Sequence, residues 1–101
     1  MPKKGGLKEL KDRELSECSP EFAFFVCNGA VTRNLRDCAQ LIAGLDDQTF
    51  SYHVNKEKND FASWISDIFG DSVLAKKLAK VKKPKTYADV IAKRIKELEA
   101  A

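Results

Sequence analysis

Apolar residues recur along this chain in two different periods, and the switch between them marks out its elements. From Glu21 to Cys27, "EFAFFVC" is rich in aromatic and β-branched residues, the composition of a strand, and "NG" at 28–29 is a hairpin turn signal. The return arm, "AVT", is short, so the resulting ribbon must lie on helices to be stable. From Asn34 the period becomes helical. Leu35, Cys38, Ala39 and Ile42 share one face, Thr32 or Asn34 can cap its start, and Gly44 suits its stop. "DDQTFSYHVN" then opens on two carboxylates suited to a helix N-terminus and places Phe50, His53 and Val54 on one face.

After the solvated "KEK" linker, Asn59 reads as an N-cap and Asp60 adds negative charge to the first turn. Phe61, Trp64, Ile65 and Ile68 follow at i, i+3, i+4, i+7, a core-facing stripe. Gly70 supplies a C-terminal stop, and Asp71 caps the next helix, "SVLAKKLAKVK". Pro84 is read as ending that helix and Thr86 as capping the last one, whose stripe is Tyr87, Ile91, Ile95 and Leu98. Residues 1–20 are polar and broken by Gly5-Gly6 and Pro20, which predicts a flexible N-terminal arm ahead of a single compact helical domain over 21–101. The expected fold is α+β, mostly α: about five short helices with one small two-stranded β-hairpin near the N-terminus.

Composition adds bounds rather than detail. A chain of 101 residues is one domain that buries roughly two-thirds of its unfolded surface, enough for a core without staples. Hydrophobic content of 44% and charged content of 33% suit a water-soluble globular protein. The longest apolar run, "FAFFVC", is far too short to span a bilayer, and the N-terminal stretch has no apolar h-region, so a cytoplasmic location is expected. Cys18, Cys27 and Cys38 are odd in number and widely spaced. They are read as reduced thiols acting as small hydrophobes. A Cys₃His zinc site with His53 would have suitable ligands, but it lacks the close ligand pair such sites use.

The densest stretch is "HVNKEKNDFASWISDIFGD", residues 53–71. A catalytic reading makes His53 a general base oriented by Asp60 or Asp67, with Trp64 as a stacking wall. No nucleophile, metal spacing or phosphate loop accompanies it, and capping already accounts for Asn59, Asp60 and Asp71. The stretch is therefore read as architecture, His53 as a core histidine bonded to a neighbour, and the protein as non-enzymatic, with no cofactor or metal expected.

A resemblance supports the fold. Phe25, Gly29, Asn34-Leu35, Phe50, His53-Val54, Asn59-Asp60-Phe61, Trp64-Ile65, Asp67, Gly70-Asp71 and Leu74-Ala75 form a pattern that resembles an uncharacterised family of small archaeal and bacterial domains. The likeness covers about residues 22–98, with Cys38 where that pattern has Leu. It implies a compact domain, occurring alone or attached to other proteins, but no established reaction, so it leaves the function open.

Charge is the remaining asymmetry. Between Ser72 and Ala88 lie six lysines and no acid, leaving 12 basic against 15 acidic residues elsewhere in a chain of net charge +3. On a continuous helix Lys76, Lys80 and Lys83 would share one face, widened by Lys77, Lys82 and Lys85. The expected function is a small interaction domain that docks on a protein partner or on its own copy, with this face steering the encounter. The alternative is sequence-non-specific nucleic-acid binding by the same six lysines, although no Arg or aromatic is interleaved among them.

Overall fold

The structure, a computed structural model, describes residues 11–13 and 15–100. The order of elements agrees with the expected class: a two-stranded antiparallel sheet near the N-terminus, then helices. Strand β1 (Phe24–Phe25) pairs with β2 (Val31–Thr32) in the register Phe24–Thr32 and Phe25–Val31. The strand is shorter than "EFAFFVC" suggested because Pro20 opens a 3-10 turn over Pro20–Phe22. The turn between strands spans residues 26–30. Val26 N–H donates to the Ala30 carbonyl, and Gly29 adopts φ +96°, a left-handed conformation costly for a residue with a Cβ.

Helices α1 (Leu35–Ala43) and α2 (Asp47–His53) each begin at the expected cap. Asn34 Oδ1 accepts from Asp37 N–H and Asp46 Oδ1 from Thr49 N–H. Thr32, the other candidate for α1, instead donates its hydroxyl to the Asn34 carbonyl. Helix α3 (Asp60–Trp64) starts at Asn59 and runs into a π turn over Ile65–Phe69. That wider turn shifts the apolar stripe by one residue. Phe69, expected outside it, is buried, while Ile68 is only partly covered. Trp64 and Phe69, five apart, then meet edge to face at 5.1 Å. Gly70 closes the π turn at φ +78°.

Helix α4 (Ser72–Leu78) is shorter than its sequence pattern predicted, and α5 (Pro84–Glu99) is longer. The correction has a local cause. Asn59 Nδ2 donates to the Leu78 carbonyl, an acceptor a longer helix would offer to its own backbone, and Val81 N–H turns back to the same oxygen. Pro84 does not end α4. It occupies the first turn of α5, where a missing N–H and a fixed φ are harmless, with Lys83 rather than Thr86 at the N-cap position.

Helices α1 and α5 pack along each other, and the ends of the pair are joined by an Arg36–Glu99 salt bridge of 2.6 Å. The core gathers Leu35, Cys38 and Ile42 from α1, Phe50, Phe61, Ile65 and Phe69, and Leu74, Leu78, Tyr87, Ile91 and Leu98, all almost or wholly buried. The described part of the expected arm is fastened to this body. Residues 11–13 are helical, and Arg13 donates to the Phe69 carbonyl. Cys18 N–H donates to the Arg33 carbonyl, and Arg33 Nε returns a bond to the Cys18 carbonyl at 2.8 Å. Residues 13 and 18 of the expected arm are thus bonded to the domain, while residues 1–10 lie outside the described residues.

Candidate functional site

His53 ends α2 and points inward. It is 5% exposed, with the rings of Phe24 and Phe61 each centred 5.3 Å from its own and Tyr52 at 5.0 Å. Cys27 N–H donates to Nε2 at 3.0 Å, which uses that nitrogen's lone pair. In the neutral ring the proton then sits on Nδ1 and is donated to Asp60 Oδ2 at 2.9 Å. One imidazole thus clasps the hairpin turn, the end of α2 and the start of α3. Asp60 also receives Lys58 Nζ at 3.0 Å. A general base needs an open lone pair, and here both ring nitrogens are committed to structure. Among the described residues no three His, Cys, Asp or Glu converge as a metal site requires.

The same bonds tune the carboxylate. Burial pushes the Asp60 carboxyl up, but the hydrogen bonds from His53 and Lys58 and the charge of Lys58 outweigh it and hold the pKa below its ordinary value. A carboxyl depressed in the folded state stabilises fully above its unfolded pKa of about 3.9, and that contribution is lost as pH falls through the folded value. Asp60→Asn should therefore be less stable than wild type at neutral pH. Its denaturant midpoint should fall less steeply below about pH 4, where wild type loses this contribution.

Asn59 does more than cap. Its Oδ1 accepts from Ala62 N–H and from the Tyr87 hydroxyl, while its Nδ2 donates to the Leu78 carbonyl at 3.1 Å. It therefore ties α3 to the end of α4 and the start of α5. Burial, with Cys38 nearby, pushes the Tyr87 phenol up, so it remains a donor. Trp64 lies in the core stripe, and its indole N–H donates to the Phe22 carbonyl at 2.7 Å, pinning the 3-10 turn. Phe50 and Phe61 are core residues, Gly70 is the left-handed stop, and Asp67 is exposed with no hydrogen bond or ion pair among the described residues. Of the two carboxylates considered as the partner of His53, only Asp60 reaches it.

Asp71 caps α4 through Leu74 N–H, as its position predicted, and also accepts from Arg94. Arg94 Nε and NH2 reach the two Asp71 carboxylate oxygens at 2.8 and 3.0 Å, with both residues buried. Arg94 was not singled out from the sequence. The signal was legible: it lies three residues after Ile91 and one before Ile95, inside the apolar stripe of α5.

The thiols sort by depth. Cys38 is wholly buried, and burial, with Asp37 adding to it, pushes its thiol up to about 12, which keeps it an inert hydrophobe. Burial also raises the Cys18 pKa, whereas Cys27 is exposed on the hairpin turn.

The six lysines of the basic edge are all exposed, but they do not form a helical stripe. Lys76 and Lys77 lie on α4, Lys80 and Lys82 on the connection after it, and Lys83 and Lys85 at the start of α5. Lys77 is 3.9 Å from Glu97. At the opposite end of the sequence pattern, the ribbon leaves large apolar side chains in water. Phe25 is 67% exposed, and its cross-strand partner Val31 is 48% exposed. Because Val26 N–H bonds the Ala30 carbonyl, alternation makes Phe25–Val31 a non-hydrogen-bonded pair, with its side chains close together and its backbone N–H and C=O groups turned to the outer edges. Among the described residues no helix is long and apolar enough to cross a membrane.

Comparison with family models, curated proteins and solved structures finds no match to this chain.

Proposed function

We propose that this chain is a small, non-catalytic cytoplasmic docking domain that binds a protein partner along its N-terminal ribbon. The observation that carries the reading is the exposed Phe25–Val31 pair on a two-stranded sheet, a pair whose backbone N–H and C=O groups point away from the partner strand. An extended segment of a partner would add to such an edge through main-chain hydrogen bonds and cover the two apolar side chains. Phe22, three residues before Phe25 and half exposed, widens the apolar surface. The ribbon is held for this purpose by Trp64, which bonds Phe22, and by His53, which bonds Cys27.

The test compares wild type with Phe25→Lys and Val31→Lys as bait in a lysate of the source cell. Each recovered protein is then purified and titrated against the bait. Amide exchange on the complex should slow over residues 24–32, and either lysine should weaken binding tenfold or more while leaving the melting temperature nearly unchanged. A partner that binds both variants as tightly as wild type would overturn the reading.

A further inference from the structure

His53 is held at its two nitrogens by bonds of opposite sense, and only one of them survives protonation. Nδ1 donates to Asp60 Oδ2 at 2.9 Å, while Nε2 accepts from Cys27 N–H at 3.0 Å. An imidazolium has two donors and no acceptor. The bond to the Asp60 carboxylate then becomes charge-assisted and stronger, so α2 stays joined to α3. At Nε2 two N–H groups face each other, and no flip of the ring restores an acceptor there. The bond that fastens the hairpin turn to the end of α2 is lost.

We propose that His53 is a pH-sensitive latch on the ribbon: on taking up a proton at Nε2 it releases the 26–30 turn while the helices stay packed. The latch regulates docking, a role that rests on the ribbon being the binding surface. Linkage sets the sign. The latched ring carries one proton fewer than the open one, so falling pH favours the open state and rising pH the latched one. The window is that of imidazole titration, between about pH 5 and 8. The open turn keeps its own shape, because Val26 N–H bonds the Ala30 carbonyl, Gly29 N–H the Val26 carbonyl and Ala30 N–H Asn28 Oδ1. Trp64 keeps its bond to the Phe22 carbonyl. Cys27 is exposed, so water is at hand for both donors once they part. Phe25 and Val31 flank the turn and lose their fixed setting, which a partner must restore on binding.

The surroundings of the ring both favour and oppose its charge. Among the described residues, the titratable or charged groups around it are Asp60 on α3, Lys58 just before α3, Tyr52 on α2 and Cys27 on the turn. Asp60 attracts the imidazolium. Burial pushes its carboxyl up, but the bonds from His53 and Lys58 hold it below the ordinary carboxylate value, so it stays ionised wherever the latch works. The C-terminal end of α2, whose last turn contains His53, also favours a cation. Lys58, 3.0 Å from the same Asp60 oxygen, opposes a second positive charge. So does the burial of the ring between Phe24 and Phe61.

The experiment follows the free full chain by NMR between about pH 8 and 5, reading the His53 ring nitrogens together with backbone amide protection corrected for intrinsic exchange. As the ring gains its second proton, protection of the Cys27 amide should fall about tenfold or more. The amides of Val54 and Ser63, bonded to the Phe50 and Asn59 carbonyls, should keep theirs. Asp60→Asn removes the attracting charge and should move the opening to lower pH; Lys58→Gln should move it to higher pH. A Cys27 amide that stays protected on a doubly protonated ring would overturn the latch. So would a ring still neutral at about pH 5, equal loss of protection at all three amides, or an opening that ignores both substitutions. Docking is read separately. A partner captured through the ribbon should bind about tenfold more weakly at about pH 5 than at about pH 8, and Asp60→Asn should shift that dependence to lower pH. Equal affinity at both pH values would sink the regulatory role. A latch that opens as described in a chain with no ribbon-dependent partner would sink the docking reading and uphold the latch.

Discussion

Arg94→Leu should lower the unfolding free energy by about 3 to 5 kcal/mol, measured as a shift of the denaturant midpoint. The reason lies in what the substitution leaves behind. Asp71 is 1% exposed, and Arg94 bonds both of its carboxylate oxygens; a leucine in its place would offer neither a charge nor a donor. A buried carboxylate that loses a bidentate guanidinium costs far more than the intact pair contributes, because that share of its desolvation is no longer offset. The N-cap bond to Leu74 N–H remains, so α4 keeps its start while losing its tie to α5. Asp71→Asn should preserve that cap and remove the charge. The double variant Asp71→Asn/Arg94→Leu should therefore lose less than the sum of the single losses, since neither charge is left unpaired. Additive losses would mean that the two side chains are not energetically coupled.

Phe61→Ala should cost a similar amount, about 3 to 5 kcal/mol. Phe61 is fully buried where three elements meet. Its ring centre is 4.5 Å from that of Phe24 on the ribbon, 5.3 Å from His53 on α2 and 5.9 Å from Tyr87 on α5. Truncation removes the ring's burial and opens a cavity bounded by these three rings, which are themselves held by hydrogen bonds or strand pairing and cannot all collapse inward. Domains of this size are typically stable by only about 5 to 15 kcal/mol, so the variant should be near its folding limit at physiological temperature. Phe25→Ala, one residue from Phe24 in the sequence pair but exposed, should change stability by about 0.5 kcal/mol or less. Comparable losses at Phe61 and Phe25 would contradict the burial pattern that separates the core from the exposed side of the ribbon.

Much of the architecture was legible because it depends on neighbours in sequence. The caps at Asn34, Asp46, Asn59 and Asp71 act on N–H groups three residues ahead, and each is where the chain pattern places it. The stripe of α5 likewise repeats on a single helix and declares its buried side. What escaped the sequence depends on bonds between distant residues. The end of α4 is set by Asn59, nineteen positions upstream, so lysine spacing alone wrongly continued the helix through Lys83. The π turn moved Phe69 inward in place of Ile68, a one-residue shift that a fixed helical period cannot express.

His53 shows both sides of this. Its place on an apolar face beside Phe50 pointed to a buried, bonded imidazole. The identity of the donor to Nε2, the backbone of Cys27 on a different element, had no sequence signature. That bond closes the ring lone pair from which acid-base chemistry at this residue would begin.

The most direct measurement is therefore a long-range proton–nitrogen correlation spectrum of the single histidine at neutral pH. A ring protonated on Nδ1, with Nε2 accepting a hydrogen bond from the amide of Cys27, is the expected result. A ring protonated on Nε2, or one exchanging between tautomers as a free imidazole does, would contradict the structural assignment of His53 and reopen the case for chemistry at this site.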